Sequence, residues 1–477
     1  MTLRVFSAGR AQTTVITAEP TGGISEKYFS SWLTGDLASK LEFAPERGSS
    51  MAFAEAWGPW FELSEHTADV LNSTPAELLR ACVQKYAGKA PGPGSGDEET
   101  TGVWLFDALV SQERLQQLAA VAADVCGGSS QVGYRSCAAA IAAPGGGNVL
   151  TVDIRPGATE FGLVRVGDTD PVLKLAHIDP YIGLSSFAED IEDWAARECP
   201  PADAFYSLSE QMQQEYRAQV VSDLIQNASF LEDREAVQYG NIRRMTGWDV
   251  FFERITREDF RRVWSKKLSW FKATLQMFIE TAKRRNAAPE HVVFSDPFGV
   301  PWAMEELMNA VLGQADLDHA PIKGMHRRTG DEKPMQLTGA AKAVENEVCL
   351  AERACPVYAR LGAGQRVYIG TRADVRSASR GFTFSFEPGD RPVMALDLYA
   401  GIFLHDGLNT HCGGGEFNVP DDTKGPYQVA FQTRPDTKNR DGFVPAEVVY
   451  QYACGDNNDQ LAWETFDCPI CLRDEQS

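Results

Sequence analysis

The sequence predicts an α/β protein with a β-rich C-terminal region. Three observations carry that expectation. From Val103 to Val344, strand patterns alternate with helical ones, the order that builds layered α/β architecture. Inside that stretch lies a hairpin signal, two apolar runs joined across Asp153-Ile154-Arg155-Pro156-Gly157-Ala158-Thr159-Glu160. Beyond about Pro356, short β-branched and aromatic runs are separated by turn residues.

Taken in order, Leu3 to Thr17 reads as two short strands joined by a turn centred on Gly9. Thr74-Pro75-Ala76-Glu77 opens a helix, with Thr as the cap and Pro at the first helical position. Lys89 to Thr101, rich in Gly and Pro, is the clearest loop. Val103-Trp104-Leu105-Phe106 is a buried strand, and Ser111 starts a helix with Leu115, Leu118, Ala122 and Val125 on one face. A small-residue helix spans roughly Ser136 to Ala143. The hairpin strands are Val149 to Asp153 and Phe161 to Val166, followed by a helix from Ser186 to Arg197. Ser207 to Glu232 is helical and polar, and a short strand region follows to about Phe252. Thr256 caps a long helix reaching about Arg285, with Phe260, Val263, Trp264, Leu268, Phe271, Leu275 and Phe278 close to helical spacing. His291 to Phe294 is a strand, while Pro301 to Val311 and Leu337 to Val344 are helices. Strands at Val357 to Arg360, Arg366 to Ile369, Gly381 to Phe384 and Val393 to Leu396 form the C-terminal β region.

Composition excludes several classes. With 43% hydrophobic and 23% charged residues, the chain can bury the cores of two or more domains. Its formal charge of -21 repels nucleic acid and anionic membranes. No apolar run approaches the roughly 20 residues that span a bilayer, and Met1 to Pro20 lacks an apolar segment of signal-peptide length. The ten cysteines are scattered, as expected of a reduced, cytoplasmic protein.

The residues at the strand ends carry a resemblance. Val5-Phe6-Ser7-Ala8-Gly9-Arg10-Ala11 aligns with a phosphate loop of the form Gly-Ile-Asp-Leu-Gly-Thr-Thr. Asp153 to Glu160 aligns with a second loop, Asp-Leu-Gly-Gly-Gly-Thr-Phe-Asp. Tyr134-Arg135-Ser136-Cys137-Ala138-Ala139-Ala140 stands for Asn-Glu-Pro-Thr-Ala-Ala-Ala, and Gly183 to Ala188 for Gly-Gly-Glu-Asp-Phe-Asp. Phe294 to Pro301 stands for the adenosine-side motif Val-Gly-Gly-Gln-Thr-Arg-Met-Pro, and Leu337-Thr338-Gly339-Ala340-Ala341 for an Ala-Ile-Gly-Ala-Ala helix. The chain thus resembles a strongly diverged member of the 70-kDa heat-shock chaperones, within the actin and sugar-kinase superfamily. The match is best over Val103 to Trp194 and Ile255 to Val344.

That resemblance implies a two-lobed actin-like ATPase fold over residues 1–355, with lobe I at about 1–148 and lobe II at about 149–355. Residues 356–477 are then a separate β-rich region. It also implies a place for ATP and magnesium, with Asp153 in the catalytic position and Gly9, Arg10, Arg155, Gly157, Asp296 and Gly339 against the cofactor. Departures concentrate in the loops. Ser7 replaces an aspartate, Arg135 a glutamate, and Arg155 and Pro156 two glycines whose backbone N–H groups approach phosphate. Asp153 is either a holder of metal-bound water or a turn-forming aspartate, and the turn role is favoured. Arg10, Arg135 and Arg155 either take an anion or pair with nearby carboxylates, and pairing is favoured. Cys468-Pro469-Ile470-Cys471 reads as ordinary thiols, and no histidine spacing points to a metal or a triad.

The expectation is therefore a heat-shock-70-like protein with a degenerate nucleotide site and weak or absent hydrolysis. It would act on protein clients or complex subunits as a divergent chaperone or assembly factor. The alternatives are an active ATPase or small-molecule kinase with a rebuilt site, and a structural subunit of a complex.

Overall fold

A computed structural model describes residues 2–9, 12–31, 33–34, 42–43, 59–62, 74–88, 100–126, 130–143, 145–155, 157–198, 203–229, 231, 236–237, 255–295, 303, 310–311, 325–327, 335–354, 356–361, 366–371, 382–386, 393–418, 427–433, 444–453 and 461–470. The protein is mixed α/β, as its alternating patterns predict. It divides into two compact units, Met1–Val172 with His177–Glu352, and Leu173–Ala176 with Arg353–Ser477.

The first unit holds two five-stranded sheets. One has the order β3-β2-β1-β6-β7, from β1 (Thr2–Ala8), β2 (Gln12–Ala18), β3 (Ile24–Ser30), β6 (Thr100–Phe106) and β7 (Ser130–Tyr134). Two-residue strands β4 (Leu33–Thr34) and β5 (Glu42–Phe43) pair with each other beside it. The other sheet has the order β10-β9-β8-β13-β14, from β8 (Gly147–Ile154), β9 (Thr159–Val166), β10 (Val172–Asp179, of which Leu173–Ala176 belong to the second unit), β13 (His291–Ser295) and β14 (Met325–Arg327). A short pair, β11 (Ala236–Val237) with β12 (Ile255–Thr256), completes the strands of this unit.

The two sheets share a plan. In each, the first two strands form an antiparallel hairpin, and the fourth and fifth extend the first in parallel. Each fifth strand is followed by a short helix, rich in small residues. These are α3 (Arg135–Ala142) and α8 (Met335–Glu345), which pack on one another. Their contact is close because Gly339 faces the Ala138 carbonyl, where a Cβ would overlap the oxygen. The sequence shows no repeat, because what recurs is topology rather than residue identity.

Helices cover the sheets with the faces their periodicity predicts. α1 (Pro75–Gly88) begins with a capping box: Glu77 N–H donates to Thr74 Oγ1, and Thr74 N–H to the Glu77 carboxylate. α2 (Gln112–Cys126) buries Leu115, Leu118 and Ala122. On the first sheet Phe6 stacks on Trp104 at 3.9 Å, and Trp60, Phe61, Tyr86 and Phe106 close around them. On the second, α4 (Leu184–Glu198) and α7 (Arg257–Arg284) bring Phe187, Phe260, Trp264, Phe271 and Phe278 against Phe161 of β9 and one another. Thr256 and Asp259 form the capping box that starts α7. A single-turn helix α5 (Asp203–Tyr206) and the polar α6 (Glu210–Ser229) lie between α4 and α7 in sequence.

Strands β3, β7 and β10 and the last four, from Thr410 to Ile470, are not among those read from the sequence, although Gly127-Gly128 precedes β7 and Gly167-Asp168-Thr169-Asp170-Pro171 marks a turn before β10. The loop expected over Lys89 to Thr101 lies outside the described residues except for Thr100 and Thr101, which open β6. The helix expected over Pro301 to Val311 and the strand region before Phe252 also lie largely outside them.

The second unit is built on antiparallel strands: β15 (Pro356–Leu361), β16 (Arg366–Thr371), β17 (Phe382–Phe386), β18 (Val393–Ala400), β19 (Thr410–Asn418), β20 (Tyr427–Thr433), β21 (Val444–Ala453) and β22 (Leu461–Ile470). They form sheets of order β16-β15-β18-β19 and β17-β20-β21-β22. At the first, Asp406 accepts from Tyr358 at 2.5 Å and pairs with Arg366 at 3.0 Å.

The helix crossing gives a test of this packing. Gly339→Val forces a side chain into the α3 backbone and lowers the urea midpoint by an amount equivalent to about 1–3 kcal/mol or more. Gly167→Ala meets open space and changes stability by about 0.5 kcal/mol or less.

Candidate functional site

Parallel strands deliver their C-terminal ends to one side of a sheet, and in open α/β sheets ligands collect there. In the first unit, β1 ends in Ser7 and Ala8 with Gly9 following, β6 leads into Asp107 and Ala108, and β8 delivers Asp153 before the turn that carries Arg155. Glu160 enters on β9 directly opposite Asp153 in the hairpin register. Two like charges opposite one another on a buried hairpin repel and lose their hydration; burial, with Asp107 and Asp153 nearby, pushes the Glu160 carboxyl up, and a neighbouring cation opposes that rise.

The cations are Arg135 and Arg155. Arg135 is the first residue of α3 and is buried. Its NH2 donates to Glu160 Oε2 at 2.8 Å, its NH1 donates to the Ala8 carbonyl, and its Nε stands 3.4 Å from Asp153 Oδ2 as an ion pair. Burial alone would lower the Arg135 pKa, but the carboxylates of Glu160, Asp153 and Asp107 reverse that effect and raise it, so the guanidinium stays charged. Glu160 also accepts from Ala108 N–H at 3.0 Å and from Ser136 Oγ at 3.3 Å.

Arg155 holds the second carboxylate. Its Nε donates to Asp153 Oδ2 at 2.8 Å, and its NH2 donates to Ser7 Oγ at 2.5 Å and to Gln336 Oε1 at 3.1 Å. Its NH1 donates to Thr14 Oγ1 at 3.4 Å. Gln336, on the first turn of α8, completes the ring by donating Nε2–H to Asp153 Oδ2 at 3.2 Å. One connected polar network therefore joins β1, β2, β8, β9, α3 and α8.

The expected site residues separate into groups. Asp153 and Arg155 come together, and Arg135 joins them. Gly9 is buried just beyond the Ala8 carbonyl that receives Arg135. Gly157 lies exposed on the hairpin turn, which closes through Arg155 N–H to Ala158 O at 2.9 Å. Gly339 sits at the α3–α8 crossing against Ala138. Arg10 and Asp296 lie outside the described residues. The motif comparison passed over Glu160 and Gln336. The signal for Glu160 was its place directly across the hairpin from Asp153, among residues otherwise suited to burial. Gln336 carried no signal, because its partners come from strands far away in sequence.

Among the described residues, the site does not fit a magnesium nucleoside triphosphate. Asp153 Oδ2 and Glu160 Oε2 face guanidinium N–H groups, Glu160 Oε1 accepts from Ala108 N–H and Ser136 Oγ, and both guanidiniums already face carboxylates. The backbone N–H of Arg155 is spent within the turn. Among the described residues no group of His, Cys, Asp and Glu is arranged to hold a metal ion. No described helix is long and apolar enough to cross a membrane. No family model matches the chain, and no curated protein matches it.

Removing one side of a buried ion pair strands the other. Arg135→Met lowers stability by about 3–5 kcal/mol, and the paired change Arg135→Met with Glu160→Leu recovers most of that loss. Urea unfolding of the single and double variants reads the coupling directly.

Proposed function

We propose that this protein is a heat-shock-70-like chaperone or assembly factor that works by binding other proteins, on an actin-like two-lobed scaffold whose nucleotide site is degenerate. Two sheets of the same strand order, each followed by a small-residue helix, with the two helices crossed at Gly339, support the reading of an actin-like ATPase core. The placement within the heat-shock-70 branch rests on the residues of the two loops and the helices that follow them.

The observation that carries the loss of nucleotide chemistry is the Arg135–Glu160 and Arg155–Asp153 network. In-line phosphoryl transfer needs a metal, a cradle for the phosphates and a group that orients water. Here guanidinium groups hold the carboxylates that would take the metal, and side chains occupy the approach that glycine backbone provides in the family. Arg155 does from within what a bound phosphate would do from outside: it links β1, the β8–β9 hairpin and α8 through directed hydrogen bonds. The scaffold is therefore held together without a ligand, and its work falls to its surfaces. A cytoplasmic location accords with the acidic composition and scattered cysteines.

Titration calorimetry with ATP and magnesium tests the proposal. The expected result is no saturable heat and no phosphate release, with a melting temperature that nucleotide leaves unchanged. Saturable binding accompanied by turnover, abolished in Asp153→Asn, would establish the active ATPase or kinase instead. In light-scattering assays of a denatured client, protection is expected to be equal with and without ATP.

A further inference from the structure

The nitrogens of the Arg155 guanidinium meet a set of acceptors. Nε faces Asp153 Oδ2 at 2.8 Å, NH1 donates to Thr14 Oγ1 at 3.4 Å, and NH2 donates to Ser7 Oγ at 2.5 Å and to Gln336 Oε1 at 3.1 Å. These acceptors belong to β8, β2, β1 and α8, and all four residues are buried. Their spacing suits a planar cation with a fork of N–H groups, whereas the compact ammonium of a lysine cannot span them.

The acceptors are also held by residues other than Arg155. Gln336 donates Nε2–H to Asp153 Oδ2 at 3.2 Å, which turns its Oε1 toward the guanidinium, and Ser7 Oγ donates to that same Oε1 at 3.4 Å. Arg135 Nε stands 3.4 Å from Asp153 Oδ2. A site supported in this way keeps its shape when its occupant leaves. It also keeps a charge: without Arg155, the carboxylates of Asp153 and Glu160 face Arg135 alone, and one negative charge is left over.

The occupant hangs from a surface turn. Arg155 follows the last residue of β8, in a turn closed by its own N–H to Ala158 O at 2.9 Å, and Gly157 in that turn is exposed. The Arg155 side chain is 14% exposed. A side chain carried at such a place can withdraw without breaking a strand.

We propose that these acceptors form a guanidinium-binding site that Arg155 fills from within its own chain, as a releasable latch on β1, β2 and α8. The hairpin turn supplies the guanidinium in the resting protein, and the emptied site accepts one from solution. The inference stands on these contacts and not on the chaperone reading, so the nucleotide titration and the guanidinium test fail independently.

Hydrogen exchange of the full chain, as wild type and as Arg155→Ala, provides the test. In the variant, amides at the end of β1 and in the first turn of α8 are expected to exchange at least about tenfold faster, while those of α7 are unchanged. Guanidinium chloride at about 50 mM, far below denaturing concentrations, should restore most of the lost protection. Urea, which is planar but neutral, and sodium chloride should not restore it at the same concentration. Unchanged exchange in Arg155→Ala, equal loss in α7 of the folded variant, no rescue by guanidinium, or equal rescue by urea or sodium chloride would overturn the proposal. Arg155→Lys retains a cation for Asp153 and keeps the test valid if the alanine variant does not fold. Its ammonium cannot reach Ser7, Thr14 and Gln336 together, so the same segments should loosen, and protection equal to the wild type would overturn the proposal.

Discussion

Two carboxylates opposite each other on a buried hairpin set the terms for much of the first unit. As carboxylates, Asp153 and Glu160 are costly to pack there without cations, because mutual repulsion and desolvation both act against the charged forms. The cations come from the start of α3 and from the hairpin turn itself, and their remaining N–H groups reach the end of β1, Thr14 and Gln336. Satisfying one electrostatic demand therefore fixes where two helices begin relative to two sheets. Such a network stabilises in proportion to how fully its members are partnered; Arg135 Nε, which faces Asp153 at 3.4 Å as an ion pair, makes no hydrogen bond of its own.

The helix crossing is the apolar counterpart of that network. Ala138 and Gly339 allow α3 and α8 to approach more closely than larger side chains permit, and that approach places Arg135 and Gln336 on the same carboxylate. A bulkier crossing would separate Gln336 from Asp153 even with every charged residue retained. Packing and electrostatics here are consequently one design, with small residues determining the distances over which the ions act.

Much of the fold was legible in the sequence. The capped starts of α1 and α7, the apolar faces of α2 and α7 and the β8–β9 hairpin follow from cap chemistry and from periods of 3.6 and 2. The strands β3, β7, β10 and β19 to β22 were passed over, although the turn at Gly167 to Pro171 and the apolar residues after it marked β10; β7 and β3 are short or polar enough that sheet neighbours define them more than local pattern. At the site, Asp153, Arg155 and Arg135 stood out only through the resemblance of their segments to the loops of another family, and no family model or curated protein shows that family for this chain. Gln336 was invisible because its role depends on a contact with Asp153, 183 positions away in the chain. The preference for arginines paired with carboxylates over arginines waiting for an anion rested on the acidity of the chain, and the ion pairs at Arg135 and Arg155 match it.

Arg135 is shared among several acceptors, so its charge cannot be reversed in isolation. An Arg135→Glu exchange would bury a third carboxylate beside Asp153 and Glu160 and leave Arg155 as the only guanidinium among the described residues in contact with them. Such a chain would lose the ability to fold before any binding property came into play. The position therefore acts as a lock on the sign of the charge, which opens only to changes made together with the carboxylates around it.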